Sequence, residues 1–243
     1  MELTAVLHCI SQMQGSGLNQ THGLALCRGD LSPTDCEDCI VQASNDMIKE
    51  CPFNKGAMIL HEACTVRYSN KNFLGQTLNN IMLCTTSEKN VNGAIPEFGQ
   101  KTQEFLSQIS LEALLQPKFY KAGKLDIEIY GTVYGYAQCS EDLSLTNCNK
   151  CLMKSLAYLR ECGEEKDGVS VYSGNCRVRY DIYPFLNDEH SSTTAPTPTP
   201  VPSPVEISPY LAPESSAHGL EPGLCIVIGL LSLFLTYYYY AIY

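Results

Sequence analysis

Two tandem, disulfide-rich domains of mixed helix and strand, followed by a stalk and a hydrophobic tail, are what this sequence predicts. Three observations carry that prediction. The spacing C-x8-C-x2-C occurs at Cys27, Cys36 and Cys39 and returns 112 residues later at Cys139, Cys148 and Cys151, with Cys64 returning at the same distance as Cys176. Neighbouring residues repeat in step: Gly23 with Gly135, Asp30-Leu31-Ser32 with Asp142-Leu143-Ser144, and Arg67-Tyr68 with Arg179-Tyr180. Finally, 13 cysteines in 243 residues suit an oxidising compartment, where disulfides restrict the unfolded chain of domains too small to rest on their cores alone. The domains are expected at 1–80 and 81–186, the stalk at 187–222 and the tail at 223–243.

The first eight residues, Met1 to His8, hold an acid where a signal peptide has a base and an apolar run too short for its core. For a secreted design this predicts a chain whose leader is missing. Ser32-Pro33-Thr34-Asp35 offers a capping hydroxyl, a proline at the first helical position and an acid at the third, so a helix is expected to start there. Cys36 and Cys39 then share a face with Ile40, Ala43 and Met47, as in a helix stapled to a sheet. The stretches 57–68 and 169–180, apolar and β-branched around a central cysteine, predict strand, turn, strand.

Phe98, Phe105, Leu106, Ile109 and Leu114 fall at helical spacing and end before Pro117, which predicts a second helix over 96–115. A half-buried strand over 125–130 is expected to lead into Val133–Cys139. Domain one begins only just before the matching Gly23, so its first strands and first helix are expected to be missing or altered. Residues 191–206 are Ser, Thr and Pro, predicting an extended, O-glycosylated stalk. Residues 224–243 carry no charge and as a helix would rise about 30 Å, the thickness of a bilayer core, so a hydrophobic C-terminal helix is expected. A removable lipid-anchor signal competes, with Ser215-Ser216-Ala217 as its small residues.

Several chemistries are excluded. The formal net charge of −10 leaves no basic footprint for nucleic acid. Cys36-x2-Cys39 has no second ligand pair within its repeat to complete a zinc site. His8, His22 and His61 lie in domain one while the core of domain two has no histidine, so a repeated Cys-His nucleophile cannot form. Neither enzyme activity nor a cofactor is expected. Asn19-Gln20-Thr21 fits the N-glycosylation sequon. Arg67 and Arg179, at strand ends, are expected to be surface or paired structural residues.

The wording 133–144 (VYGYAQCSEDLS), with the cysteine spacing and the Arg-Tyr strand endings, resembles the plant ginkbilobin-homologous, stress-antifungal domain. Two such domains, a stalk and a hydrophobic segment are similar to cysteine-rich repeat secretory proteins and their membrane-bound branch, the plasmodesmata-located proteins. The resemblance implies α+β modules, each with two helices on one face of an antiparallel sheet and three disulfides. It implies the pairs Cys84–Cys162, Cys139–Cys148 and Cys151–Cys176, and in domain one Cys27–Cys36 and Cys39–Cys64. Cys51 is left without its family partner, whose position falls before Met1, and Cys9 stays open as a substitute. Mannose-binding members of the family use three polar positions that here are Thr85, Ser170 and Asp181, with Met58 and Ser69 at the latter two in domain one. Only Asp181 keeps an acceptor, expected to be a solvated group, so sugar binding is not transferred beyond it.

The resemblance implies a non-enzymatic, membrane-tethered interaction module facing the apoplast at the plasma membrane or plasmodesmata, serving cell-to-cell communication and defence signalling. Its implied partners are extracellular domains of related cysteine-rich proteins or receptor kinases, or cell-wall carbohydrate, and the membrane through its C-terminus. A secreted antifungal or carbohydrate-binding protein is the alternative, and a receptor-kinase ectodomain a third.

Overall fold

A computed structural model describes residues 9–14, 20–77, 82–92, 95–163, 165–187 and 224–228. Domain one is built from β1 (Cys9–Gln14), β2 (Thr21–Cys27), α1 (Pro33–Glu50), β3 (Gly56–Leu60) and β4 (Cys64–Ser69). Helix α1 starts where local chemistry directs it: the Asp35 backbone N–H donates to Ser32 Oγ at 3.1 Å, and Pro33 occupies the first turn. Its buried stripe, Cys36, Cys39, Ala43 and Met47, faces β3 and β4. Domain two follows as β5 (Met82–Thr86), α2 (Ile95–Leu114), β6 (Tyr120–Ile127), β7 (Gly131–Cys139), α3 (Leu145–Gly163), β8 (Gly168–Ser173) and β9 (Cys176–Asp181). Both α2 and α3 lie on one antiparallel sheet of order β5-β8-β9-β7-β6, and bury Phe98, Leu106, Ile109, Leu152, Leu156 and Leu159 against Val133, Val169 and Val178. Each such large side chain contributes about 1.5–3 kcal/mol on burial.

The structure corrects four expectations. Strand β1 is present and pairs antiparallel with β2, from Cys9 opposite Leu26 to Gln14 opposite Thr21, so domain one retains the hairpin that β6 and β7 form in domain two. Residues 128–130 turn rather than extend, because the hairpin closes Ile127 onto Gly131, whose φ of 79° suits glycine. Cys51 is disulfide-bonded rather than left over. The start of the expected C-terminal helix is instead strand β10 (Leu224–Ile228), parallel to β3 at the end of a sheet ordered β1-β2-β4-β3-β10.

The last correction has a physical cause. The equivalent sheet edge in domain two, along β8, is covered by β5, and in domain one the same side of β3 is paired with β10. A sheet edge presents N–H and C=O groups that need partners, and the β-branched segment LCIVI supplies them. Among the described residues no helix is long and apolar enough to cross a membrane. Residues 229–243 and the stalk over 191–206 lie outside the described residues.

The two domains meet through contacts that repeat reciprocally, as in an isologous dimer interface. The Gly75 N–H donates to Asp142 Oδ2 at 2.7 Å, and Asn187, 112 residues on, donates its N–H to Asp30 Oδ2 at 2.9 Å. Within each domain a matching stack recurs, the Arg67 guanidinium on Phe73 at 3.7 Å and that of Arg179 on Phe185 at 3.9 Å. Near the local two-fold, Arg177 donates to its own counterpart Thr65, while Leu60 and its counterpart Tyr172 share a small apolar cluster with Met58. Gln138 Nε2 adds a bond to the Cys27 carbonyl at 2.9 Å.

Candidate functional site

The sequence-derived sugar positions do not converge on an open site. Thr85 lies opposite Ser170 in the β5–β8 pairing, and Asp181 lies opposite Gly168 on β9. Asp181 is buried rather than solvated: its Oδ2 accepts from Arg179 Nη2 at 3.2 Å, and a Cβ placed on Gly168 would sit 2.6 Å from it. Burial raises its carboxyl above the ordinary range, with Arg179 pulling the other way. In domain one, Met58 is fully buried between the modules, and Ser69 Oγ accepts from the Lys71 N–H at 3.1 Å. An apolar side chain sealed in an interface has no means to grip a sugar hydroxyl.

Charge gathers instead where the domains meet. Glu62, half-exposed in the β3–β4 turn, accepts from Arg179 Nη1 at 2.5 Å and lies 3.7 Å from Arg28 Nη1. Arg28 also donates from Nε to Asp30 Oδ1 at 2.6 Å and from Nη2 to the Phe185 carbonyl at 3.1 Å. Burial disfavours the Arg28 charge, but Asp30 outweighs it and raises the guanidinium above its usual value. For Arg179 burial is likewise outweighed, by Glu62. Arg179 also donates to the hydroxyl of Tyr183. Buried arginines with partners on both sides weld two modules together; every carboxylate in the cluster is engaged by an arginine, which suits fixation rather than proton transfer.

One concavity among the described residues is strongly apolar. A groove of about 740 Å³ runs along domain one between α1 and the β2–β4 face, lined by Gly23, Ile40, Ser44, Met47, Val66 and Tyr68. Ile48 and Phe53 stand exposed on its rim.

Besides the bridge that engages Cys51, the cysteines close Cys27–Cys36, Cys39–Cys64, Cys84–Cys162, Cys139–Cys148 and Cys151–Cys176. His61 lies near Cys39 and Cys64, but those sulfurs are bonded to each other, and His61 Nε2 faces Asp46 Oδ2 at 3.1 Å. Asn19 lies outside the described residues. Arg67 and Arg179 take the structural rather than the surface role: both are buried and stacked on a phenylalanine ring, and Arg179 is also paired with Glu62 and Asp181. Sequence reasoning missed Glu62, Arg28 and Phe185. Phe73 and Phe185 recur at the 112-residue offset just as the arginines do, and that signal would have found the stack.

Comparison with known proteins places this architecture. A family described as salt stress response/antifungal matches residues 5–71 and 83–183. The antimicrobial ginkbilobin-2-like protein of Castanea crenata is 38% identical over 173 residues, covering 71% of each chain. Cysteine-rich repeat secretory protein 38 of Arabidopsis thaliana is 33% identical over 174 residues, covering 71% of this chain and 68% of the relative. Cysteine-rich receptor-like protein kinase 25 of the same plant is 32% identical, but the match spans only 25% of its length. Among solved structures, the tandem DUF26 ectodomain of the Arabidopsis thaliana cysteine-rich receptor-like protein PDLP8 superposes with a TM-score of 0.62 at 29% identity, covering 72% of this chain and 80% of that one. With two matched segments, the repeated disulfide framework and the tandem α+β fold in agreement, the chain belongs to the salt stress response/antifungal (DUF26) family.

Proposed function

We propose that this chain is a non-enzymatic interaction module facing the apoplast, held at the cell surface by its C-terminal segment and engaging ectodomains of related cysteine-rich proteins or receptor kinases in cell-to-cell and defence signalling. The observation that carries this reading is the reciprocal domain interface. It spends Arg28, Arg177, Arg179, Glu62 and Asp30 on joining the modules, and leaves an apolar groove among its concave surfaces. Such an interface presents a surface, and among the described residues it brings no nucleophile together with a base. The likeness to the PDLP8 ectodomain supports the cell-surface setting, and a location at plasmodesmata is part of the proposal.

The test is expression of the full chain behind a working signal peptide, with a fluorescent fusion, beside a version lacking residues 229–243, which keeps β10. Retention of the full chain at the cell surface and release of the shortened one into the medium is the expected result. Equal release of both sinks the tether. A second reading, a secreted antifungal or carbohydrate-binding protein, draws on the likeness to the antimicrobial ginkbilobin-2-like protein. The burial of Asp181 and Met58 weighs against it. Saturable mannose binding that is lost in Asp181→Ala but kept in a folded Ser69→Ala control would put that reading first.

A further inference from the structure

We propose that a cavity of domain two binds a small organic amine, one ammonium group on an apolar body, seated between the Asp167 carboxylate and the Tyr130 ring. The cavity measures about 660 Å³, a size that takes in a whole small ligand. It lies where the segment after β5, the first turn of α2, the β6–β7 turn and the residue before β8 come together. The inference goes beyond the interaction-module reading and does not depend on it.

The frame of the cavity is hydrogen-bonded throughout. Ser87 and Val91 donate their N–H groups to the carbonyls of Gly168 at 2.9 Å and Glu165 at 2.8 Å, and Asp167 donates its own to the Lys89 carbonyl at 3.3 Å. These bonds hold Asp167 in place as a buried carboxylate, 7% exposed. Its Oδ1 accepts from the Ser87 hydroxyl, whereas among the described residues nothing donates to Oδ2. Three carboxylates are buried among the described residues. Asp30 is paired with Arg28 and Asp181 with Arg179, while no cation lies within ion-pair distance of Asp167. A carboxylate withdrawn from water calls for a cation. The module itself does not require an acid at this position, since the counterpart of Asp167 at the 112-residue offset is the exposed Lys55.

A second observation points into the same wall. The Tyr130 hydroxyl is shielded from solvent and has no hydrogen-bond partner among the described residues, a state rare for a buried polar group. Its ring packs edge-on to Phe98 at 5.1 Å, and both residues line the cavity. Val91 is buried in the lining, and Ile129 and Ile182 stand exposed on it, Ile129 by 72%.

These walls specify the ligand. An ammonium brings three donors, enough for a carboxylate oxygen and a phenol oxygen, and an aromatic face attracts it. The aliphatic residues cover the body that carries it. Charge sets the count: Glu88 and Asp167 against Lys89 leave one negative charge on the lining, and Lys166 turns its ammonium to the Glu88 carbonyl at 3.3 Å. An anion would meet like charge, and a neutral polyol would leave the carboxylate unanswered. A calcium ion wants six or more oxygens, which Val91, Phe98 and Ile129 do not offer.

The probe is phenethylammonium chloride, titrated into the full chain expressed under oxidising conditions and followed by calorimetry and by backbone amide NMR shifts. Saturable one-to-one binding is expected, with the shifts centred on residues 88–92, 129–130 and 167. Phenethyl alcohol, the same body without the charge, should bind about tenfold or more weakly. Asp167→Asn keeps an acceptor for Ser87 and should weaken the amine by a similar factor while leaving the alcohol unchanged. Lys89→Ala should tighten the amine about two- to fivefold by removing a competing cation, a gain that a merely structural Asp167 would not produce. Comparison of amine with alcohol on the parent chain needs no variant, so it decides the matter even where Asp167→Asn fails to fold. Absence of saturable binding, equal binding of amine and alcohol, or shifts confined to other residues overturns the proposal. Calcium chloride saturating the same amides more tightly than the amine also overturns it and assigns the cavity to a metal ion. So does tighter binding of N-acetyl-lysine methylamide, which would assign it to a lysine side chain of a protein partner. None of these readouts depends on where the protein resides in the cell, so failure of the tether and failure of the amine site are told apart.

Discussion

Gly29→Ala should prise the two modules apart. A Cβ on Gly29 would lie 2.3, 2.5 and 2.7 Å from Cγ, Cδ1 and Cδ2 of Tyr120, at the root of a ring on domain two that itself packs 5.9 Å from Tyr136. Ring-root atoms cannot swing aside as a flexible side-chain end can. The turn as such does not need glycine: Gly29 is not in the left-handed region, and its repeat counterpart is the exposed Glu141. The cost therefore comes from Tyr120 alone, at about 1–3 kcal/mol for overpacking. For a body of this size that lowers the melting temperature by about 2–12 °C. The chain has no tryptophan, so urea unfolding without reductant is followed by tyrosine fluorescence and near-ultraviolet circular dichroism. In a Tyr120→Ala background the same substitution should be neutral, or stabilising by about 0.4–1 kcal/mol through the unfolded chain's reduced entropy. Equal losses in both backgrounds would refute the close approach as the cause.

Glu62→Ala should cost about 1–3 kcal/mol, more than a typical surface ion pair, because it strips a partner from the buried Arg28 and Arg179. A loss within error would mean that Asp30, Asp181 and the Phe185 stack suffice. Burial raises the folded pKa of Asp181 above its unfolded value, so its contribution favours folding at low pH and is lost as pH rises through the carboxylate range. The parent should accordingly lose stability relative to Asp181→Asn between about pH 3 and 6, measured by urea midpoints; a flat difference would count against it. Paired Cys→Ser replacements should rank by loop length: about 4.5 kcal/mol for Cys84–Cys162, 3.5 for Cys39–Cys64 and 2.6 for Cys27–Cys36, at separations of 78, 25 and 9. Denaturant unfolding of each pair checks the order. Removing residues 224–243 should speed hydrogen exchange at alternate amides of Gly56–Leu60 and leave β8 unchanged, since only β3 loses a neighbour.

Local chemistry made much of this fold legible. Ser32, Pro33 and Asp35 set the start of α1 within one turn, and the cysteine-centred apolar stretches became β3–β4 and β8–β9 because their residues fit a pleated, buried surface. Strand β1 was not legible: CISQMQ carries no period-two pattern, and its conformation comes from the backbone groups of β2. The interface escaped for a related reason. Glu62 lies in a turn and Phe185 beyond the last strand of domain two, and neither looks special until the repeat is followed outside the cysteines to Phe73.

The segment LCIVI shows what sequence could not decide by itself. Five uncharged, largely β-branched residues at the head of an apolar run satisfy their backbone groups equally well as helix in lipid or as strand on an open edge. The choice depends on which partner the segment meets: in domain two the edge of β8 is paired with β5, and in domain one that of β3 is paired with LCIVI itself. Exchange at the amides of Gly56–Leu60 reads that choice: with LCIVI on the edge of β3 the alternate amides facing it are protected, and with LCIVI held as helix in lipid they exchange freely.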